Sequence, residues 1–241
     1  MNWHIHHKEI TESTNKDALG GKPGDVFTAS LQTHGKGRLD HKWLSPSGEN
    51  LMMSAVVDVA DISVQEAATL PLLAGLSVAQ AVKSVFEKLA GESVVSDIQV
   101  KWPNDVLVAG RKICGILCER NSDAVIIGIG VNVNQLEFDS EISRRATSVR
   151  IETGKTSEVD TMRDAVLHRL SENIATWRAG GFASILPDLT RLDCLKGKVI
   201  SVRRTDDDSS PATGICGGIR EDGTLDVGGE GISAGEAHIL L

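Results

Sequence analysis

Apolar and polar residues alternate through residues 3–10, "WHIHHKEI", and this period of two predicts a first strand. "ESTNKDAL" follows, with Ser13 or Thr14 as a natural N-cap and Asp17 as a first-turn acid, so a short helix is expected there. "DVFTASLQ" reads as a second strand, and "ENLMMSAVVDV" as a long apolar one. Residues 63–90 carry Leu72, Leu73, Leu76, Ala79, Val82, Val85, Phe86 and Leu89 at helical spacing, predicting one long core helix with an early Pro71. "IQVKWPNDVLVAGRKICGILCE" reads as strand, turn, strand, turn, strand. "AVIIGIGVNV" is apolar enough for a strand buried on both faces. Residues 158–178 predict an amphipathic helix stopping at Gly180 and Gly181, and a further short helix is expected over 182–192.

The pattern changes after Leu195. Residues 197–241 hold nine glycines, short β runs and little helical periodicity. Asp222-Gly223 between apolar positions predicts a hairpin, and "TDDDSSP" a solvated loop. This segment is expected to be a small β-barrel of roughly five strands docked on the larger unit. The expected division is 1–193 and 194–241.

Composition narrows the function classes. Lys plus Arg number 25 and Asp plus Glu 33, a net charge of −8, in a chain with 41% hydrophobic residues, four Trp, four Phe and no Tyr. Aliphatic packing must carry stability. An acidic chain without a long basic run is a poor general nucleic-acid binder, so no DNA partner is expected. Cys114, Cys118, Cys194 and Cys216 make no disulfide framework at this length, and are expected as small buried hydrophobes in a reducing, cytoplasmic compartment. "MNWHIHHKEI" has no apolar signal region, and no stretch is read as a membrane span. His4 and His6 share a strand face without an acid or thiol companion, and are read as ordinary strand positions.

Three stretches carry candidate chemistry. "HGKGRLDHKW" places Lys36, Arg38 and Lys42 against Asp40, a local excess of positive charge in an acidic chain. Gly35 and Gly37 let backbone N–H groups turn toward a ligand, so the stretch is either a surface loop or a loop closing over an anion. It lacks the Gly-Lys-Ser/Thr of a Walker loop. "KWPNDVLVAGRK" puts Lys101, Asp105 and Lys112 in strands that otherwise read as buried, where charges need partners: a phosphate with its metal ion, or a local ion pair. In "GIGVNVN", Gly128 and Gly130 imply close approach by another strand or a ligand.

Together, "ESTN", "LQTHGKGRLDHKWLSPSGENL", "VKWPNDVLVAGRKICGIL" and "GIGVNVN" occur in the order and at intervals compatible with the biotin protein ligase (biotin–[acetyl-CoA-carboxylase] ligase) family, which the chain resembles over roughly residues 1–190. The resemblance implies an α+β fold: a class II aminoacyl-tRNA synthetase-like catalytic domain with a mixed sheet, followed by an SH3-like barrel. It implies activation of biotin by ATP, with Mg²⁺, to biotinyl-5′-AMP, and transfer to a lysine of a biotin carboxyl carrier domain. Twelve residues precede Ser13, too few for a helix-turn-helix, so the monofunctional form is expected. A side-by-side homodimer through sheet edges is permitted.

Carried over residue by residue, the resemblance implies that Ser13, Thr14, Asn15 and Gln32 hydrogen-bond the biotin ring and ureido group. It places Gly35 and Arg38 in the loop over biotin and the adenylate phosphate, and Gly115 beside the biotin slot, leaving room for it. Lys112 is implied at the biotin carboxylate and α-phosphate, with Asp105 tuning charge beside it. Lys36, Lys101, Trp43 and Asn132 are implied on the ATP side, Trp43 as a face for adenine. The loop departs from the family's "GRGRRGR": Leu39, Asp40 and His41 stand where that pattern has arginine, glycine and arginine. Two other readings remain: a lipoate-type ligase, and a non-catalytic module that captures biotin or its adenylate.

Overall fold

The computed structural model describes residues 1–39, 42–91, 97–205 and 210–240. Asp40, His41, most of the expected solvated loop (206–209) and Leu241 lie outside the described residues. Strands β1 (His4–Thr11) and β2 (Asp25–Gln32) flank the helical turn α1 (Thr14–Asp17). β3 (Leu51–Asp58) leads through α2 (Val64–Ala67) and α3 (Leu70–Ala90) to β4 (Ile98–Lys101), β5 (Asp105–Val108), β6 (Arg111–Asn121) and β7 (Ala124–Val131). Helices α4 (Val149–Thr153), α5 (Val159–Gly180) and α6 (Leu186–Leu192) follow, then β8 (Val199–Arg204), β9 (Ala212–Ile219), β10 (Leu225–Val227), β11 (Glu230–Ile232) and β12 (Gly235–Ile239).

Strands β1 to β7 form one seven-stranded sheet in the order β1-β2-β3-β7-β6-β5-β4. Only the β1–β2 pair is parallel, which makes the sheet mixed. β3 lies between β2 and β7, and its run, apolar except for Ser54, is buried continuously along nearly its whole length. That continuous run, rather than an alternating one, is the pattern of a strand covered on both faces. β1 behaves differently. Its alternating pattern produces no core face: it is an edge strand exposed from His4 to Ile10, with Ile10 63% exposed.

The long apolar helix is broken where one continuous helix is expected. α2 ends at Ala67, and α3 restarts at Leu70 with Pro71 in its first turn, where a proline costs no intrahelical bond. Thr69 at the join accepts a 3.1 Å hydrogen bond from the Trp177 indole N–H of α5. The stretch Val64–Ala90 is long and apolar enough to cross a membrane by composition, contrary to the sequence reading, but 78% of its apolar window is buried against the sheet and α5. Each fully buried leucine of α3, Leu73 for example, contributes about 2 kcal/mol by leaving water. α5 ends at Gly180, with Gly181 at φ +67°, as the two glycines predict. α4 is a helix the sequence reading leaves out. Ser148 caps it by accepting from the Ile151 N–H. Ser13 stands at the N-cap of α1 without making a side-chain capping bond.

Strands β8 to β12 form the five-stranded C-terminal sheet, ordered β11-β10-β9-β8-β12 and antiparallel throughout. The Asp222-Gly223 turn joins β9 to β10, with Gly223 at φ +80°. Among the described residues, hydrogen bonds tie this sheet to loops of the larger unit: Trp102 Nε1 donates to Gly223 O at 3.1 Å, and Arg38 Nη1 to Gly235 O at 3.1 Å. His6 pairs with Asp25 at 3.0 Å, and no group of three metal-ligating side chains occurs among the described residues.

All four cysteines are free; Cys114, Cys194 and Cys216 are buried as expected, with Cys114 at 0% and Cys194 at 3% exposure, whereas Cys118 is only partly buried. Burial pushes the Cys194 thiol up to about 11, so little thiolate forms at pH 8. A thiol-exchange chromophore at pH 8 should leave Cys114, Cys194 and Cys216 unlabelled in the native protein and label them in denaturant. Rapid native labelling of all three would contradict their burial.

Candidate active site

A cleft of about 230 Å³ opens at the end of the large sheet where α1, the loop after β2, the β4–β5 turn, β6, β7 and β12 meet. Its described lining includes six cationic side chains, Lys16, Lys36, Arg38, Lys42, Lys101 and Lys112, against three carboxylates, Asp105, Glu119 and Glu236. An acidic chain thus gathers positive charge in one concavity, an arrangement that concentrates anions there.

The cationic end is built by strand register. β5 pairs with β6 so that Asp105 lies opposite Gly115, and the Lys112 ammonium reaches Asp105 Oδ1 at 2.7 Å. The contact is an ion pair rather than an aligned hydrogen bond: Asp105 Oδ1 is buried without a hydrogen-bond donor in line. Arg38 approaches the same carboxylate from the loop side. Its Nη1 lies 3.4 Å from Asn104 Oδ1, a weak contact, besides its bond to Gly235 O. Burial lowers the Arg38 pKa, and the Asp105 and Glu236 carboxylates oppose that shift. The guanidinium remains charged. Two cations far apart in the chain therefore face one carboxylate.

The opposite end is polar, with short uncharged side chains backed by the Glu119 carboxylate at the rim. Ser13, Thr14 and Asn15 leave the end of β1 and are 4%, 4% and 8% exposed. Gln32, at the end of β2, accepts from the Thr14 N–H at 2.8 Å through Oε1. Asn15 Nδ2 donates to Glu119 Oε2 at 2.5 Å. Ser54 Oγ, fully buried on β3, lies 2.7 Å from Thr14 Oγ1 and 2.6 Å from Asn15 Oδ1.

Missing side chains form the floor. A Cβ on Gly130 would stand 2.5 Å from Trp43 Cε2, and one on Gly115 would stand 3.0 Å from Trp43 Cζ3 and 3.2 Å from Lys112 Nζ. A Cβ on Gly128 would collide with the Asn15 amide. The close approach that the sequence predicts at Gly128 and Gly130 is thus made by Asn15 and Trp43. At Gly115 the expected room for a ligand is taken by Trp43 and Lys112. The Trp43 face, expected against adenine, is pressed onto this floor, with Nε1 buried and unpaired and Lys112 Nζ 5.9 Å from the ring centre.

Of the sequence candidates, Ser13, Thr14, Asn15, Gln32, Lys36, Arg38, Trp43, Lys101, Asp105, Lys112 and Gly115 line the cleft. Gly35 stands just behind it, where its carbonyl accepts from the Trp43 N–H at 2.9 Å and closes the loop. Asn132 is not in the lining: it is 5% exposed and gives its Nδ2 to Thr147 O at 2.9 Å. A buried asparagine holds a loop there, because its donor must be paired. The sequence reading missed Asn104, Glu119, Glu236 and Ser54. Ser54 carried a signal, a lone hydroxyl within "LMMSAVV". Glu236 carried none, since only docking of the second sheet brings it to the cleft.

A mixed sheet with an anion-collecting cleft defines the class of fold. The biotin/lipoate A/B protein ligase family profile matches residues 9–134, and the chain belongs to that family. It is 35% identical over 167 residues to the bifunctional ligase/repressor BirA of Bacillus spizizenii, covering 64% of this chain and 49% of that one. It is 33% identical over 174 residues to the biotin–[acetyl-CoA-carboxylase] ligase of Mycobacterium tuberculosis, covering 70% of this chain and 63% of that protein. The chain thus spans about half the length of the Bacillus relative. A crystal structure of biotin protein ligase from Aquifex aeolicus in complex with biotin and ATP matches with TM-score 0.85 and 28% identity, covering 98% of this chain and 99% of that one.

The floor makes a prediction. Gly130→Ala should destabilise the protein by about 1–3 kcal/mol through overpacking against Trp43, and by less than about 0.5 kcal/mol in a Trp43→Ala background. Urea unfolding of the four proteins measures both. Equal costs in the two backgrounds would place Trp43 elsewhere.

Proposed function

We propose that this chain is an ATP-dependent biotin protein ligase that activates biotin and transfers it to a lysine of a biotin carboxyl carrier domain. One observation carries the reading: short polar side chains line one end of the cleft, and cationic side chains the other. Biotin has the complementary form, a ureido group at one end and a carboxylate at the other. A lipoyl group would bring an apolar dithiolane against Thr14 and Gln32 and leave the Thr14 Oγ1 lone pairs and the Gln32 Nε2 donor without a partner, which costs binding energy. Similarity to the Aquifex biotin protein ligase in complex with biotin and ATP and to the Mycobacterium biotin–[acetyl-CoA-carboxylase] ligase supports the same choice.

In the proposed first step a biotin carboxylate oxygen attacks the α-phosphorus of ATP, the bond to the β-phosphate bridge breaks, and pyrophosphate leaves. Carboxylate and triphosphate repel each other, so Lys112 and Arg38 neutralise charge where they meet. Asp105 keeps the two cations aimed at that point. Lys36 and Lys101 add charge on the phosphate side. Asp105 and Glu236 line the same cleft, and Mg²⁺ belongs to this reading as an ion that takes one or two carboxylates and completes its shell with phosphates and water. When bound, the ion would withdraw phosphate charge. In the second step the acceptor lysine amine attacks the biotinyl carbonyl and AMP leaves. The polar contacts from Ser13, Thr14, Asn15 and Gln32 hold the biotin ring through both steps.

The division at residues 193 and 194 is part of this proposal, with the second sheet supplying a wall of the cleft rather than a separate site. The buried free cysteines support a reducing, cytoplasmic setting. The uncovered β1 edge leaves a homodimer possible in geometry.

Lys112→Ala should slow biotin-dependent exchange of pyrophosphate into ATP by about a hundredfold or more while the protein stays folded. A rate within threefold of wild type would remove Lys112 from the chemistry. Calorimetry with biotin and with lipoate separates the two ligase readings, since only biotin should give measurable heat. Tight biotin binding without any exchange would indicate a non-catalytic module.

A further inference from the structure

The polar end of the cleft contains more groups than a ligand could touch, and their donors and acceptors can be counted. The Glu119 carboxylate only accepts, so the 2.5 Å contact fixes Asn15 Nδ2 toward it, with Leu117 O as a longer second acceptor at 3.4 Å. Asn15 Oδ1 therefore faces Ser54 at 2.6 Å. That oxygen has no proton to give, so the single Ser54 proton goes to it. Ser54 Oγ is then left as an acceptor, and its 2.7 Å neighbour Thr14 Oγ1 must donate to it. The other outlet for the Thr14 proton, Gln32 Oε1, is 3.2 Å away and already takes the Thr14 N–H at 2.8 Å. What remains toward the cleft is a pair of lone pairs on Thr14 Oγ1 and the free Gln32 amide donor Nε2.

We infer that Glu119 and Ser54 are positioning residues that set the hydrogen-bond polarity of the ligand pocket, fixing Thr14 as an acceptor for a ligand N–H and Gln32 as a donor to a ligand carbonyl. This rests on the biotin reading above and deepens it: the site selects a cyclic urea by the order of protons in the chain Glu119–Asn15–Ser54–Thr14. Glu119 lies at the rim and is exposed, whereas Ser54 is fully buried. A surface carboxylate thus orders protons at a buried hydroxyl two side chains away. Three features support the assignment. Ser54 is a hydroxyl in an otherwise apolar strand, which needs a reason. Gly128 leaves the space in which the Asn15 amide lies. Each member has the partner that the count requires. With glutamine at 119, an amide faces Asn15 that can present either its oxygen or its nitrogen, so the Asn15 amide is free to turn. Turned, it donates to Ser54, Ser54 donates to Thr14, and Thr14 presents a proton to the ligand N–H.

The test is biotin-dependent pyrophosphate exchange in the full chain for Glu119→Gln, Ser54→Ala and the double variant, with biotin and ATP varied separately. Each single variant should raise KM for biotin about tenfold, the loss of one to two hydrogen bonds, with kcat and KM for ATP within twofold. The double variant should lose little more than either single one, because both cut the same chain. Preference for biotin over an analogue methylated on its ureido nitrogens should shrink in step, which a merely structural role would not cause. The exposed position of Glu119 lets that variant fold whatever Ser54→Ala does. Unchanged biotin KM in Glu119→Gln, or losses that multiply in the double variant, would overturn the polarity assignment alone. A wild-type chain without biotin-dependent exchange would overturn the ligase reading and this inference together.

Discussion

One carboxylate between two cations is the constraint around which the cleft is arranged. Lys112 and Arg38 are drawn from a strand and a distant loop into one half-buried cleft, where cations need a carboxylate beside them. Asp105 supplies it, at 2.7 Å from Lys112 and with its charge also felt at Arg38. Its place depends on the β5–β6 pairing, including the register shift between Val106 and Leu107. A different register would turn either Asp105 or Lys112 away from the cleft, since side chains alternate faces along a strand.

The same sheet supplies the polar end by the opposite means. Where the cationic end is made from long side chains, the polar end is made from short ones over a floor without side chains. Thr14, Asn15, Gln32 and Ser54 come from three segments that meet because β1 and β2 run parallel while β3 runs against β2. Glycines at 128 and 130 let Asn15 and Trp43 approach the strands. Buried polar groups at this density are costly unless each is paired, so pairing of the set fixes a single arrangement of donors and acceptors.

The C-terminal sheet completes the cleft. Arg38 reaches the backbone of β12 at Gly235, Glu236 enters the lining, and Trp102 reaches the turn at Gly223. The two sheets therefore share the turn that carries Asn104 and Asp105. Movement of the second sheet would be felt first at Arg38, which has one of its few partners there.

Much of the secondary structure follows from local pattern alone: β2, the apolar β3, the β4–β5–β6 meander, the α5 stop and the β-rich C-terminal segment. The charged residues in strands and the strand glycines also identify the cleft before any fold is known, because a charge or a missing side chain at a half-buried position needs a local explanation. Four features are decided only in three dimensions. Asn132 turns to Thr147 instead of the cleft, Trp43 lies on the glycine floor, Glu119 takes hold of Asn15, and Glu236 arrives with the second sheet. The reason is physical. Periodicity and turn chemistry act over a few residues, but which acceptor a buried donor finds depends on strand order and sheet docking, and those bring together groups separated by a hundred residues or more.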